Sequence, residues 1–437
     1  MTSILIHNCT AITVNNNFDI IENAEIRIAD GRIVSVAKCR KMPEIDEAEE
    51  IIDADGGIVM PGLVNTHAHL PMTLFRGLAD DMPLMTWLND HIFPAEAKYI
   101  NAESARAGAL LGCAEMLLSG TTSCCDGYFH EDSVAMAMFE SGIRGIAAHG
   151  IIDFPAPGVP DPSKNIEAAA LYAKKWLGVN GLVKPAFFCH SPYTCSAETI
   201  INVKKEATAL GLKFFIHVSE TKGEVEAMKA EKGMSPVQYL DSLGILDENT
   251  IAVHCVWVDE ADMEILASRK VSVSHAPESN MKLGSGIAPV YSMIEKGIRV
   301  GLGTDGCASN NDLDLLCEMD TAAKLQKVFL HDSAVMNAET VIRMATIKGA
   351  ELMGLGHHIG SIESGKAADI IIIDTKKPHM RPVFHPASQV VYSAKGSDVR
   401  HVFVDGKHVV KDFKLLTLDV NIVAESVEQT VSGLKKE

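Results

Sequence analysis

The 437-residue sequence predicts an α/β protein, a (β/α)₈ TIM-like barrel with a small β-sandwich domain built from both chain termini. Three observations predict it. Between about residues 60 and 365, eight short apolar runs alternate with longer, charge-bearing helical stretches. Both ends of the chain read as strands, and polar residues of metal-binding type recur at the ends of the apolar runs. Strands alternating with helices build a parallel sheet with helical crossovers, and eight such units suit a closed barrel.

The elements follow in order. At the N-terminus ILIHNCTAITV and AEIRIADGRIVSVAK are strand-like, the second folding back at Asp30-Gly31 as a hairpin turn would. The eight barrel runs are IVMPGLVNTHAH, TTSCCDGYF, RGIAAHGIID, LVKPAFFCHS, KFFIHVSE, TIAVHCVWV, KVSVSHAP and RVGLGTDG; AETIINVKKEATALG and EADMEILASRK suit helices between them. AADIIIID and HVFVDGKHVV, with a turn at Asp405-Gly406, are strand-like again. Neither end alone has enough strands to bury an apolar face, so residues 1–59 and 366–437 are expected to form one composite domain, leaving 60–365 to the barrel.

Composition narrows the function. Apolar residues make up 47% and charged residues 22%, so a large core can form. A net charge of −18 without a local Lys/Arg cluster repels nucleic acid and anionic membrane, which leaves a small molecule as the expected partner. The first residues lack a basic, apolar leader, and no run reaches the roughly 18 apolar residues a membrane span needs; a cytoplasmic location is expected. The ten cysteines, including the adjacent Cys124 and Cys125, form no CxxC and read as reduced, mostly buried thiols.

His67, His69, His190, His217, His254, His275 and Asp305 all lie at or just past the end of an apolar run. In a (β/α)₈ barrel those ends converge on one mouth, so residues far apart in sequence meet there. Side chains two apart on a strand point the same way, so His67 and His69 offer two ligands to one metal. His217 and Asp305 add a third nitrogen and a carboxylate, a set suited to one divalent ion, zinc or ferrous iron. A bridging Lys or Glu for a second metal is missing from the fourth run, which ends in His190 and has Lys184 at its start.

PGLVNTHAHLPMTLFRG, FFIHVSE, the histidine of VHCVW, SHAPESNMKLGSG and GLGTDGCASNNDLDLL resemble the amidohydrolase superfamily, and within it the 5′-methylthioadenosine/S-adenosylhomocysteine deaminase family. The likeness extends to GSIESGKAADIIIID and covers most of the chain. It implies hydrolytic deamination of the adenine ring of a 5′-modified adenosine. By this resemblance Asp305 touches the metal and accepts the proton of the attacking water, His254 holds the nucleophile, and Glu220 delivers a proton to the ring nitrogen. Glu96 would grip the ribose hydroxyls, and His190 would be a further substrate contact. Leu84, Met85, Trp87 and Phe93 would form either an apolar wall for the 5′ group or the packed core of a lid. Family members commonly form homo-oligomers, and the same is expected here.

The chain departs from the family where arginines clamp the carboxylate of S-adenosylhomocysteine. His149-Gly150 and Pro162-Ser163-Lys164 stand at those places, and no arginine occurs between Arg144 and Arg269. Without that fork a short, uncharged 5′ group is favoured. The alternatives are a hydrolase of another aromatic amine or halide, such as guanine, cytosine or a triazine, and a non-catalytic scaffold relative. Glu96 argues against the former, and the complete ligand set with Glu220 argues against the latter.

Overall fold

Two sheets organise the chain in the computed structural model, which describes residues 3–39, 49–179 and 181–436. The first is a mixed sheet of nine strands from both ends of the chain. Its path runs Lys414–Leu415, Lys407–Lys411, Val399–Val404, Ile370–Ile373, Ile58–Pro61, Ser3–Ile12, Ile20–Ala29 and Arg32–Lys38, with Glu49–Asp53 pairing Ser3–Ile12 off the path. Ile58–Pro61 joins the two ends, parallel to Ser3–Ile12 and antiparallel to Ile370–Ile373. The expected turns are both present: Asp30 and Gly31 have φ of +48° and +77°, Asp405 and Gly406 +51° and +72°. Two consecutive positive φ values match the twist of the paired strands, which is why Asp-Gly stands at each. One face buries Ile6, Ile26, Val59, Ile370, Ile372 and Phe403 together.

The second sheet is the barrel. Its eight strands, Leu63–Ala68, Thr121–Tyr128, Arg144–Ile151, Val183–Cys189, Phe214–Val218, Thr250–His254, Ser272–His275 and Arg299–Leu302, lie side by side in chain order. The pairings from the third strand to the eighth are parallel, and a parallel bridge between Ala68 and Asp305 brings the eighth back to the first. Strands covered on both faces need apolar residues on both, so their runs are continuous rather than alternating. Helices Ala197–Leu210 and Glu260–Ser268 stand where the sequence places them, started by the side chains of Ser196 and Asp259. Among the described residues no helix is long and apolar enough to cross a membrane.

The run IVMPGLVNTHAH differs from expectation, because it is two strands. Ile58–Pro61 belongs to the mixed sheet and only Leu63–Ala68 to the barrel. Gly62 sits at the change, where a Cβ would lie 2.1 Å from the Thr122 hydroxyl, so the chain passes between sheets where only glycine fits. By compactness, residues 66–113, 124–313 and 420–437 form one unit and 1–65, 114–123 and 314–419 another. Every candidate site residue lies in the first of these.

Closure of the barrel depends on close backbone approach at Gly303. A Cβ there would meet the backbone N and O and the Cβ of His67 at 2.9 Å. Gly303→Ala must displace the strand that carries His67, and the expected cost is about 1–3 kcal/mol, read from the urea midpoint of metal-free protein. An unchanged midpoint would show that the two strands separate freely.

Candidate metal centre and active site

Each site residue is placed by a strand end. His67 is the fifth residue of the first barrel strand and His69 lies just beyond it, before the 3₁₀ turn Leu70–Phe75. Their rings are 4.6 Å apart between centroids. Asp305 follows the eighth strand in left-handed backbone (φ +63°), and its N–H donates to the His67 carbonyl at 3.0 Å. That backbone bond brings its Oδ1 to 3.2 Å from His67 Nε2 and 3.3 Å from His69 Nε2. His217, on the fifth strand, completes the cluster, with ring centroids 5.2 Å from His67 and 5.6 Å from His69. Ligand atoms of His67, His69 and His217, and likewise of His67, His254 and Asp305, fall within 4.8 Å of one another.

The donor chemistry fits a divalent ion. His69 Nδ1 donates to the Gly127 carbonyl at 2.5 Å and His217 Nδ1 to the His190 carbonyl at 2.7 Å. A ring whose Nδ1 carries the proton presents Nε2 as a lone pair, the form a metal requires. Burial also keeps two of the cluster's imidazoles neutral, pushing His67 down to about 4 and His217 well below the usual range. Asp305 goes the other way. Burial pushes its carboxyl up, but the adjacent His67, His69 and His254 rings hold it well below the ordinary value. Neutral nitrogens beside an ionised carboxylate make the set ready for zinc without prior deprotonation. Zinc added to metal-stripped protein is expected to saturate at one equivalent and raise the unfolding temperature, and His217→Ala to abolish the rise; two equivalents bound would contradict a mononuclear site.

His254 ends the sixth strand at φ +72°, its Nδ1 2.9 Å from Asn280 Oδ1. Its Nε2 faces Glu220 Oε2 at 3.8 Å and Asp305 Oδ2 at 4.0 Å. Burial pushes the Glu220 carboxyl up, opposed by His254. Glu96, on helix Phe93–Tyr99, accepts the Tyr128 hydroxyl on Oε1 at 2.5 Å, and burial raises it to about 7. His190 follows the fourth strand, its Nδ1 2.9 Å from Thr194 Oγ1, and burial takes it down to about 4.

One cavity is lined by His69, Glu96, His190, His217, Glu220, His254 and Asp305 together. Leu84, Trp87 and Phe93 line it as well, so the loop after the first strand is a wall of the site; Met85 is 56% exposed and lies on an adjoining groove. His275, grouped with the other strand-end histidines by sequence, is buried outside the cavity, and neither ring nitrogen has a hydrogen-bond partner among the described residues. Cys124 and Cys125 are buried, which pushes both thiols up. Sequence reasoning passed over Ser279 and Ser309, whose hydroxyls donate to Asp305 Oδ2 at 2.7 and 3.1 Å, together with Asn280 and Tyr128. Tyr128 ends the second apolar run, so the strand-end rule extended from histidine to tyrosine would have found it.

With this geometry in hand, comparison with known proteins is direct. The model of the Amidohydrolase family matches residues 58–409. A 5-methylthioadenosine/S-adenosylhomocysteine deaminase of Syntrophobacter fumaroxidans is 42% identical over 99% of this chain and 98% of its own length. A 5′-deoxyadenosine deaminase of Methanosarcina acetivorans is 44% identical over 99% of both. The chain belongs to the amidohydrolase family, in its 5-methylthioadenosine/S-adenosylhomocysteine deaminase branch. A solved amidohydrolase structure, an adenosine deaminase from Xanthomonas campestris with bound zinc, superposes with a TM-score of 0.96 at 35% identity, covering 100% of this chain and 99% of that one. This amidohydrolase therefore carries a single zinc-type site of histidine and aspartate side chains.

Buried neutral histidines outside the ligand set give the stability a pH dependence. Burial takes His149 down to about 4 and His275 to about 3. Unfolded histidine titrates near 6.5. Above that pH both states are neutral and nothing changes. As pH falls below it only the unfolded chain binds the proton, so stability is lost down to about pH 4, by at most roughly 1.4 kcal/mol per pH unit for each group. The urea midpoint of metal-free protein should fall between about pH 6.5 and 4.5. His149→Asn should flatten that slope by one proton; an unaltered slope would mean His149 charges freely in the fold.

Proposed function

We propose that the protein hydrolytically deaminates the adenine ring of 5′-modified adenosines, with uncharged 5′ groups favoured. One observation carries the reading: the cavity joins the metal-ligand cluster to the buried carboxylate of Glu96, and among the described residues no lysine or arginine lines it. The His149 ring lies 5.7 Å from that of Tyr172 and does not line the cavity; Lys164 is exposed and pairs with Glu167 at 3.4 Å. A 5′ carboxylate would be desolvated there without a partner, which costs more than its hydrogen bonds to water return. The similar proteins named for 5-methylthioadenosine, S-adenosylhomocysteine and 5′-deoxyadenosine point to the same substrate class.

His67, His69, His217 and Asp305 would hold the metal, which when bound lowers the pKa of a coordinated water to about 7 and supplies hydroxide at neutral pH. Asp305, kept ionised and steadied by two serine hydroxyls, accepts the proton of that water. His254, its other nitrogen engaged by Asn280, holds the nucleophile by Nε2. Glu220, its carboxyl pushed up by burial, gives a proton to the ring nitrogen, which makes the amino-bearing carbon electrophilic. The departing amine then takes the proton held by Asp305 and leaves as ammonia, and the hydroxyl proton on the attacked carbon returns to Glu220 as that carbon becomes a carbonyl. Glu96 keeps Oε2 for a ribose hydroxyl while Oε1 is tied to Tyr128. His190 contacts the substrate from the fourth strand. The net charge of −18, with no nucleic-acid-binding cluster, supports a cytoplasmic enzyme of small molecules, and the large exposed apolar residues on helices support a homo-oligomer.

The zinc-loaded protein is best tested on 5′-deoxyadenosine, 5′-methylthioadenosine, adenosine, S-adenosylhomocysteine and adenine, following the ultraviolet change on deamination. The two uncharged 5′-modified nucleosides should give the highest kcat/KM and adenine the lowest. Preference for S-adenosylhomocysteine would overturn the argument from the missing cation, and no turnover would overturn the substrate class. Glu96→Gln should raise KM for the nucleosides about tenfold or more with little change in kcat.

A further inference from the structure

The turn that carries Glu220 has a support of its own. The fifth strand ends at Val218, Ser219 takes left-handed backbone (φ +52°), and helix Lys222–Lys232 starts at Thr221, whose hydroxyl accepts the Glu224 N–H at 3.2 Å. In an ordinary capping box the acidic side chain three residues into the helix accepts the N–H of the capping residue itself. Glu224 reaches further back. Its Oε1 accepts the Ser219 N–H at 3.0 Å and its Oε2 the Glu220 N–H at 2.8 Å. On the opposite side the Ser219 carbonyl accepts the Trp257 N–H at 2.9 Å and the Val218 carbonyl the Cys255 N–H at 3.0 Å.

One carboxylate thus grips both peptide planes that flank a serine in a backbone conformation non-glycine residues rarely adopt. Those planes set the direction in which Glu220 leaves the main chain. Glu224 itself does not line the reaction cavity; it faces the adjoining groove, which Glu220 borders from the other side. We propose that Glu224 is a positioning residue, acting through the backbone N–H groups of Ser219 and Glu220 to hold the Glu220 carboxylate 3.8 Å from His254 Nε2. The inference rests on the reading of Glu220 as proton donor. Glu224→Gln is a sharp perturbation, because an amide has one acceptor and turns its NH₂ toward the second N–H.

The test is a double-mutant cycle between Glu224→Gln and Glu220→Gln on the zinc-loaded full chain, with 5′-deoxyadenosine as substrate. Glu224→Gln is expected to lower kcat by roughly 10- to 100-fold, the scale of a small misplacement of a catalytic group, while KM stays within about twofold. The double variant is expected to be no slower than Glu220→Gln alone, because residues acting as a unit are not additive. Multiplicative losses, or a change confined to KM, would overturn the proposal. Thr221→Ala separates aim from stability, since it removes the helix cap without touching either N–H. It should lower the unfolding temperature and leave kcat within about threefold. If Thr221→Ala slows turnover as much as Glu224→Gln, loosening of the helix explains both and the proposal fails. A failure of the functional reading shows instead in the wild-type protein, which would deaminate none of the adenosines.

Discussion

The bond from the Asp305 N–H to the His67 carbonyl is the contact on which the site depends. It brings the last barrel strand against the first, and the carboxylate it carries lands on two imidazoles that the first strand already points inward. A buried carboxylate is tolerated only with partners, and Asp305 has a backbone N–H from Gly306 at 2.9 Å and two serine hydroxyls besides the histidines. Closing the barrel and assembling the ligand set are therefore one event. Glycine at 303 permits it, since any side chain would strike the backbone of His67.

Other strands then aim what the closure assembles. The second strand supplies the Gly127 carbonyl that orients His69, the residue after the fourth supplies the carbonyl that orients His217, and the segment after the seventh supplies Asn280 for His254. Each ring is fixed by an element other than its own, so the ligand geometry inherits the order of strands around the barrel. The same burial that makes the His67 and His217 imidazoles poor bases makes them good ligands, because an uncharged ring in a dry site has no better partner than a metal. His275 is the informative contrast. It has the same strand-end position and the same burial but no carbonyl partner and no cavity face, so position alone does not make a ligand.

What the sequence showed and what it hid divide along physical lines. Periodicity and strand-end position depend on local backbone geometry, so the eight runs, the two Asp-Gly turns and the convergence of His67, His69, His190, His217, His254 and Asp305 could be read directly. The family likeness added Glu96 and Glu220, which line the same cavity. The break at Gly62 was hidden because an unbroken apolar run satisfies either sheet, and only the close Thr122 contact shows why the chain must change there. Ser279, Asn280, Tyr128 and Glu224 were hidden for another reason. They act by one or two hydrogen bonds to residues up to 32 positions away in sequence, and a serine or glutamate in a short helix carries no periodic signal of its partner.

The selectivity follows from how the polar groups are distributed. On the proposed reading Glu220, His254 and Asp305 would serve the ring and Glu96 the sugar, and Leu84, Trp87, Leu88, Ile92 and Phe93 line the same cavity. Apolar walls discriminate weakly among uncharged groups of similar size, by roughly 1–3 kcal/mol per methylene. They discriminate strongly against a charge, which must leave water for a surface that offers it nothing. His149, which stands at one of the two places where the family carries an arginine, supplies no cation to the cavity. Its ring packs against Tyr172, whose hydroxyl is committed to the Ala147 carbonyl at 2.9 Å, and burial keeps it uncharged. On that reading the substrate would be recognised at the adenine and ribose by contacts and at the 5′ end by exclusion, so one site would accept methylthio and hydrogen substituents alike.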